Sequence, residues 1–150
     1  MRGWLLDTNV LAELARPKGD DRVIAWADAQ PEQILFISVL NLAEYDQGIA
    51  NLPDDAPNRS RLEAAVTALE LRFRGRILSL SDAIVRRWGH LSGRAKRRTG
   101  QSPPVIDTLL AATAIQNDLH FVTRNVKDVS DTGASVFDPW RDDTSLFRII

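Results

Sequence analysis

The chain is predicted to be an α/β protein, a three-layer α/β/α arrangement with a mainly parallel central sheet and helices on both faces. Three observations carry that expectation. Short apolar runs recur along the chain, and they are almost continuously apolar, as strands covered on both faces are. Between them lie longer segments whose apolar residues fall at helical spacing. The two kinds of segment alternate from end to end, which is the order of a parallel sheet joined by crossover helices.

Residues 3–7, ending Trp4-Leu5-Leu6-Asp7, read as the first strand. Asn9 to Ala15 reads as a short helix stopped near Arg16-Pro17. Asp21 to Ala29 carries Val23, Ile24, Trp26 and Ala27 and reads as a second helix, ended by Pro31. "ILFIS", 34–38, has the β-branched and aromatic content of a strand. A helix over about 39–51 follows, then the loop "LPDDAPN". Residues 58–73 place Leu62, Val66, Leu69 and Phe73 at helical spacing. "RILSL", 76–80, is a short strand, and Ser81 to Arg98 is helical. After the loop "RTGQSPP", Pro103 suits the start of a helix over 103–117, whose Ala111, Ala112 and Ala114 permit close packing. "LHFVT", 119–123, is a strand, and "ASVFDPW" near 134–140 is a last edge strand. With neither repeats nor a low-complexity linker, residues 1–150 are expected to form one domain.

Composition narrows the function classes. The chain is 44% hydrophobic and 26% charged, enough apolar content for a core. It has no cysteine, which removes disulfide scaffolds and thiolate zinc sites. No apolar run approaches the roughly 18 residues that span a bilayer, and no signal peptide is read at the N-terminus. A cytoplasmic protein with no membrane partner is expected. Net charge is -1, so any nucleic-acid surface must be a local patch. Neither GxxxxGK[ST] nor GxGxxG occurs, which removes the usual nucleotide-binding signals.

Asp7 poses the chemical question, because a carboxylate closing a buried strand is costly unless paired or bound to a metal. In open α/β sheets, ligands bind beyond the carboxyl ends of the strands. Asp7 and Ser38 end the first two strands. Glu44 follows in the next helix, Asp107 opens the helix before "FVT", and Asn125 and Asp128 follow that strand. Each acid has a plain alternative. Asp7 caps a helix, Glu44 completes Asn41-x-x-Glu44 as a capping-box variant, and Asp107 complements a helix N-terminus. Together they are harder to explain that way. Two like charges about 4 Å apart repel by roughly 4 kcal/mol at an effective dielectric near 20. A hard divalent cation, Mg²⁺ or Mn²⁺, accounts for all three.

Four stretches also resemble a known family. "LLDTNVLAEL", "ISVLNLAEYDQGI", "VIDTLLAATA" and "FVTRNVKDV" are similar, in order, to the four motifs of PIN-domain ribonucleases. "FDPW" is similar to the close of the FitB-like branch of VapC-type toxins. The match runs from Leu5 to Trp140. The resemblance implies a Mg²⁺-dependent endoribonuclease that leaves a 5′-phosphate. It also implies a VapB-like antitoxin partner, in a toxin–antitoxin pair, and a homodimer. Asp7, Glu44 and Asp107 take the three acidic positions as metal ligands and catalytic residues. Thr8, Asn9, Ser38, Thr123 and Asn125 are supporting candidates that hold water or phosphate oxygens. Relatives often carry Asp where this chain has Asn125, which makes Asp128 a candidate substitute, and Thr where it has Asn41.

Arg94, Lys96, Arg97 and Arg98, just before Asp107 in sequence, and Arg124, after "FVT", are candidate contacts to the RNA backbone. For the helical four, a solvated helix end is the equal alternative. Arg72, Arg74 and Arg76 read as plain surface, and the four tryptophans as core or interface. An aspartyl-phosphate phosphatase built on Asp7 lacks an acid two residues on, where Asn9 stands. A receiver-like domain lacks a second acid near the first strand. A PIN-like RNA-processing nuclease outside a toxin pair, or a binding module with a degenerate metal site, remain the alternative functions.

Overall fold

The computed structural model describes residues 1–150. Five parallel strands form the sheet: β1 (Trp4–Leu6), β2 (Leu35–Ser38), β3 (Ile77–Leu78), β4 (His120–Val122) and β5 (Val136–Phe137). Their spatial order is β3-β2-β1-β4-β5. Seven α-helices connect them: α1 (Thr8–Ala15), α2 (Asp21–Ala29), α3 (Val39–Ala50), α4 (Arg59–Arg72), α5 (Asp82–Thr99), α6 (Val105–Gln116) and α7 (Val126–Val129). The chain steps from β1 out to β3 on one side, then crosses back to β4 on the other. β1 and β4 therefore flank the point where strand order reverses, the place where such sheets open a crevice.

Alternation along each strand sends side chains to two separate cores. Trp4 and Leu6 face one side, where Val10, Leu11, Val23 and Trp26 of α1 and α2 cover them. Leu5 faces the other, against Leu110, Ala111 and Ala114 of α6 and Phe121 of β4. The alanines of α6 let it sit flat on the sheet, and α5 packs outside it through Ile84 and Leu91 against Ala112 of α6. Trp4 lies 5.1 Å from Trp26, edge to face, and 5.1 Å from Phe137. Trp140 joins the same cluster from its margin.

Gly3 shows how tightly β1 enters the sheet. A Cβ built there collides with the carbonyl oxygen of Ile34, which is backbone and has no rotamer to yield. Gly3→Ala is expected to lower stability by about 1–3 kcal/mol, the usual cost of overpacking. Chemical denaturation checks it, and an unchanged midpoint would refute the clash.

Two expectations need correction, and one element was missed. Arg72 and Arg76 are not plain surface. Both pair with Glu32, at 2.8 and 3.2 Å, and Arg76 also donates to the carbonyl of Leu35 at 2.6 Å. Their guanidinium groups stack on Phe73, so they clamp the end of α4 to the start of β2. The strand expected over 76–80 is confined to Ile77–Leu78, because Leu80 already turns toward solvent. The single turn α7 was not anticipated, since four residues carry no periodicity to read.

Candidate active site

The acidic residues meet where the fold reverses. Asp7 directly follows β1 and is 3% exposed. Its carboxylate is held by three donors. Oδ1 accepts from the backbone N–H of Thr8 at 2.7 Å, while Oδ2 accepts from the Thr123 hydroxyl at 2.7 Å and from Asn9 Nδ2 at 3.3 Å. Thr123 directly follows β4, so its bond to Asp7 ties together the tips of the two strands at the reversal. Its Oγ1 also accepts from the Asn125 N–H at 3.0 Å. Asp7 does cap α1, as its plain alternative held. Yet burial pushes its carboxyl above the ordinary value, despite the bonds from Thr123 and Thr8, and nearby Glu44 adds to the shift. A cap alone gains from an ionised carboxylate; this one is held where ionisation is disfavoured.

Glu44 is reached through a relay. The capping box is formed by Ser38 and Asn41, not by Asn41 and Glu44. Ser38 N–H donates to Asn41 Oδ1 at 2.7 Å, and Asn41 Nδ2 donates to Thr8 Oγ1 at 3.0 Å. The Thr8 hydroxyl then donates to Glu44 Oε1 at 2.7 Å. Glu44 is thus free of capping duty and aimed into the crevice from α3.

Asp107 lies in the first turn of α6. Its carboxyl is pushed up to about 6, by burial first, then by the charges of Asp7 and Asp128, and by a hydrogen bond to Asp128. Asp128, on α7, therefore faces Asp107. Asn125 itself is exposed and makes no side-chain cap for α7.

No ion pair of the protein involves Asp7, Glu44, Asp107 or Asp128. As the side chains stand, no three of the acids close into a ready-made cage. The donor chemistry still fits Mg²⁺ or Mn²⁺, which prefer carboxylate oxygen, keep several waters and need only one or two carboxylates. Burial first, and then the charges of Asp7 and Asp128, raise the carboxyl of Asp107, and a divalent cation bound there would oppose both.

The basic candidates divide. Arg98 is paired with Asp131 at 3.0 Å. Arg94 lies on the outer face of α5 beside Arg86, Arg87 and His90, and Lys96 and Arg97 are exposed in its last turns. Arg124 instead lines a cleft with Asn125 and Asp128, next to the acids. His120 is a structural residue: Nδ1 meets the Ser135 hydroxyl at 2.6 Å and Nε2 the Arg148 carbonyl at 2.8 Å. Sequence reasoning gave Asn41 no role as a link to Thr8, and it missed Lys127 and Arg141, which line the same cleft as Arg124. The FDPW stretch was the available signal for the latter.

Comparison with known proteins agrees with this architecture. The PIN domain family pattern matches residues 4–132. Toxin FitB of Neisseria gonorrhoeae is 33% identical over 141 residues, covering 92% of this chain and 99% of that protein. The VapC ribonuclease Y4jK of Sinorhizobium fredii is 31% identical over 139 residues, covering 91% and 96%. A solved structure of FitAB bound to an IR36 DNA fragment superposes with a TM-score of 0.81 at 29% identity, covering 93% of this chain and 97% of that one. With its five parallel strands, its acids at the strand reversal and these relatives along nearly its whole length, the chain belongs to the PIN-domain family.

Proposed function

We propose that this protein is a divalent-metal-dependent endoribonuclease and the toxin of a type II toxin–antitoxin pair, acting in the cytoplasm. One observation carries the reading: Asp7, Glu44, Asp107 and Asp128 gather at the strand reversal and none of them is in an ion pair. The names of its relatives, a toxin and a ribonuclease, support it. No helix of the protein is long and apolar enough to cross a membrane.

Asp7 and Asp107 would hold Mg²⁺ or Mn²⁺, with Glu44 completing the set. Held by these carboxylates, such an ion would lower the pKa of a water and offset charge on the phosphodiester. Asp7 is kept in one orientation by Thr8, Asn9 and Thr123. The Thr8 hydroxyl occupies one oxygen of Glu44 and leaves the other to accept a proton or orient water. Asp107, whose carboxyl is pushed up to about 6 in the metal-free protein, would give up its proton to hold the ion, with Asp128 facing it at the margin of the crevice. Cleavage of structured RNA that requires Mg²⁺ or Mn²⁺ and is abolished by EDTA is the test. Metal-independent cleavage, or none, overturns the assignment.

A VapB-like antitoxin and a homodimer complete the proposal. Val85, Val105 and Leu146 are exposed, the last 77% so, and offer apolar contact area, whereas Trp140 is turned to the core. Expression alone should arrest growth, and co-expression of the adjacent reading frame should relieve it. Harmless expression of active enzyme would remove the toxin role.

The fourth carboxylate yields a separate prediction. Asn125→Asp adds charge beside Asp128 and should lower the Mn²⁺ concentration for half-maximal cleavage, whereas Asp128→Ala should raise it. If neither shifts the titration, the ion rests on Asp7, Glu44 and Asp107 alone.

A further inference from the structure

We propose that the cleft between α7 and the 138–142 turn is a subsite for a backbone phosphate of the RNA, flanking the one that is cut. The proposal rests on the nuclease reading and adds a place for the substrate outside the acidic crevice. The cleft measures about 500 Å³, within the range of small-ligand pockets. It shares Asn125 and Asp128 with the margin of the crevice, so a strand leaving the acids passes directly into it.

Three cations line it: Arg124, Lys127 and Arg141. None is in an ion pair. The two acids on the opposite wall are turned to the backbone instead. Asp138 Oδ1 accepts from the Trp140 N–H at 2.9 Å, and Asp142 Oδ2 accepts from the Asp138 N–H at 2.9 Å. These bonds fold FDPWRD into a tight turn, reinforced by the N–H groups of Arg141 and Asp142 on the Asp138 carbonyl at 3.1 and 2.8 Å. The turn presents Trp140 beneath Arg124, whose guanidinium carbon sits 4.9 Å from the ring centroid. Stacking on the ring face fixes the guanidinium plane and leaves its N–H fork free, the arrangement suited to a phosphate. The stretch that closes the sheet thus builds the second wall of the cleft.

The test measures binding of a single-stranded RNA oligonucleotide across a salt series, without divalent ions, in an Asp7→Asn background. Arg124→Gln, Lys127→Gln and Arg141→Gln are combined. The expected result is a log–log salt slope smaller by about 0.7, the share of the one phosphate contact that is lost. Affinity at low salt should fall about tenfold or more. With Asp7 intact, the same three changes should raise KM for RNA more than they lower kcat. Removing three exposed cations elsewhere, Lys18, Arg61 and Arg86, controls for bulk charge, and an equal loss there overturns the subsite. Unchanged affinity and slope in the cleft variant overturn it too. So does unchanged RNA binding with lost antitoxin binding, which makes the cleft a protein interface. A parent that binds RNA through the cleft yet cuts none under Mg²⁺ or Mn²⁺ keeps the subsite and refutes the nuclease reading.

Discussion

Asp7→Asn is expected to lower metal-dependent RNA cleavage by about a hundredfold or more, beyond the roughly 10–100-fold lost when the partners of metal ligands are changed. The substitution preserves volume and removes the charge. Its effect on the fold should be small for opposing reasons. Loss of the charge relieves the burial penalty and the repulsion from Glu44 that raise the carboxyl of Asp7. An amide, however, cannot accept from Thr8, Thr123 and Asn9 together as the carboxylate does. Whichever end its nitrogen takes, it faces a donor, and a buried donor without a partner costs about 1–3 kcal/mol. Stability without metal should therefore change little, while the stabilisation conferred by Mg²⁺ through mass action should shrink. A thermal melt with and without Mg²⁺ reads both. Cleavage within about threefold of the parent, less than 1 kcal/mol of barrier, would sink the assignment.

Asp107 makes the second large prediction, a pH dependence. Its native carboxyl titrates near 6 rather than at the ordinary 3.8. Between those values the folded protein without metal holds a proton that the unfolded chain has released. Stability should then fall as pH rises through that window, and level off above about 6. Asp107 is partly open to solvent, so screening holds the change to on the order of 1 kcal/mol. Metal binding runs the other way, because a divalent ion requires the ionised carboxylate. Cleavage should climb about tenfold per pH unit below 6 and plateau above it, and Mg²⁺ should raise Tm more at pH 7.5 than at about 5.5. Asp107→Asn should flatten the stability slope of the metal-free protein. A parent whose stability and metal response are both flat from about pH 5 to 7 contradicts the coupling among Asp107, Asp7 and Asp128.

Much of this was legible in the sequence. Runs such as Trp4-Leu5-Leu6 and Leu35-Phe36-Ile37 marked strands buried on both faces, and Ala111, Ala112 and Ala114 marked the close packing of α6. Asp7, Glu44 and Asp107 were visible as acids at strand ends and early helix turns, because topology alone sends those positions to one crevice. What stayed hidden depended on side-chain partners. Arg76 looked like surface because a sequence does not show that Glu32 and Phe73 lie beneath it. Arg94, Lys96, Arg97 and Arg98 looked like one patch, but the helix turns Arg94 toward Arg86 and His90 while Arg98 is taken by Asp131. Arg141 went unnoticed because its turn follows the last strand, and only the fold returns it to α7.

The link from Ser38 to Glu44 has a consequence for which way protons can point. The Ser38 N–H decides which end of the Asn41 amide is oxygen, so the nitrogen end must face Thr8. The Thr8 hydroxyl owns a single proton, and with its oxygen already receiving one, that proton goes to Glu44. A backbone amide at the tip of β2 therefore sets a polarity that passes through α1 and ends on a carboxylate of the next helix, α3. This wall of the crevice is a one-way valve. It offers the oxygen of Glu44 left open by Thr8 to anything positive or proton-bearing, and an incoming group that needs an acceptor at Thr8 finds that oxygen already receiving Asn41. Changing Thr8 to serine keeps the valve; changing it to valine removes its hinge and frees Glu44 to swing.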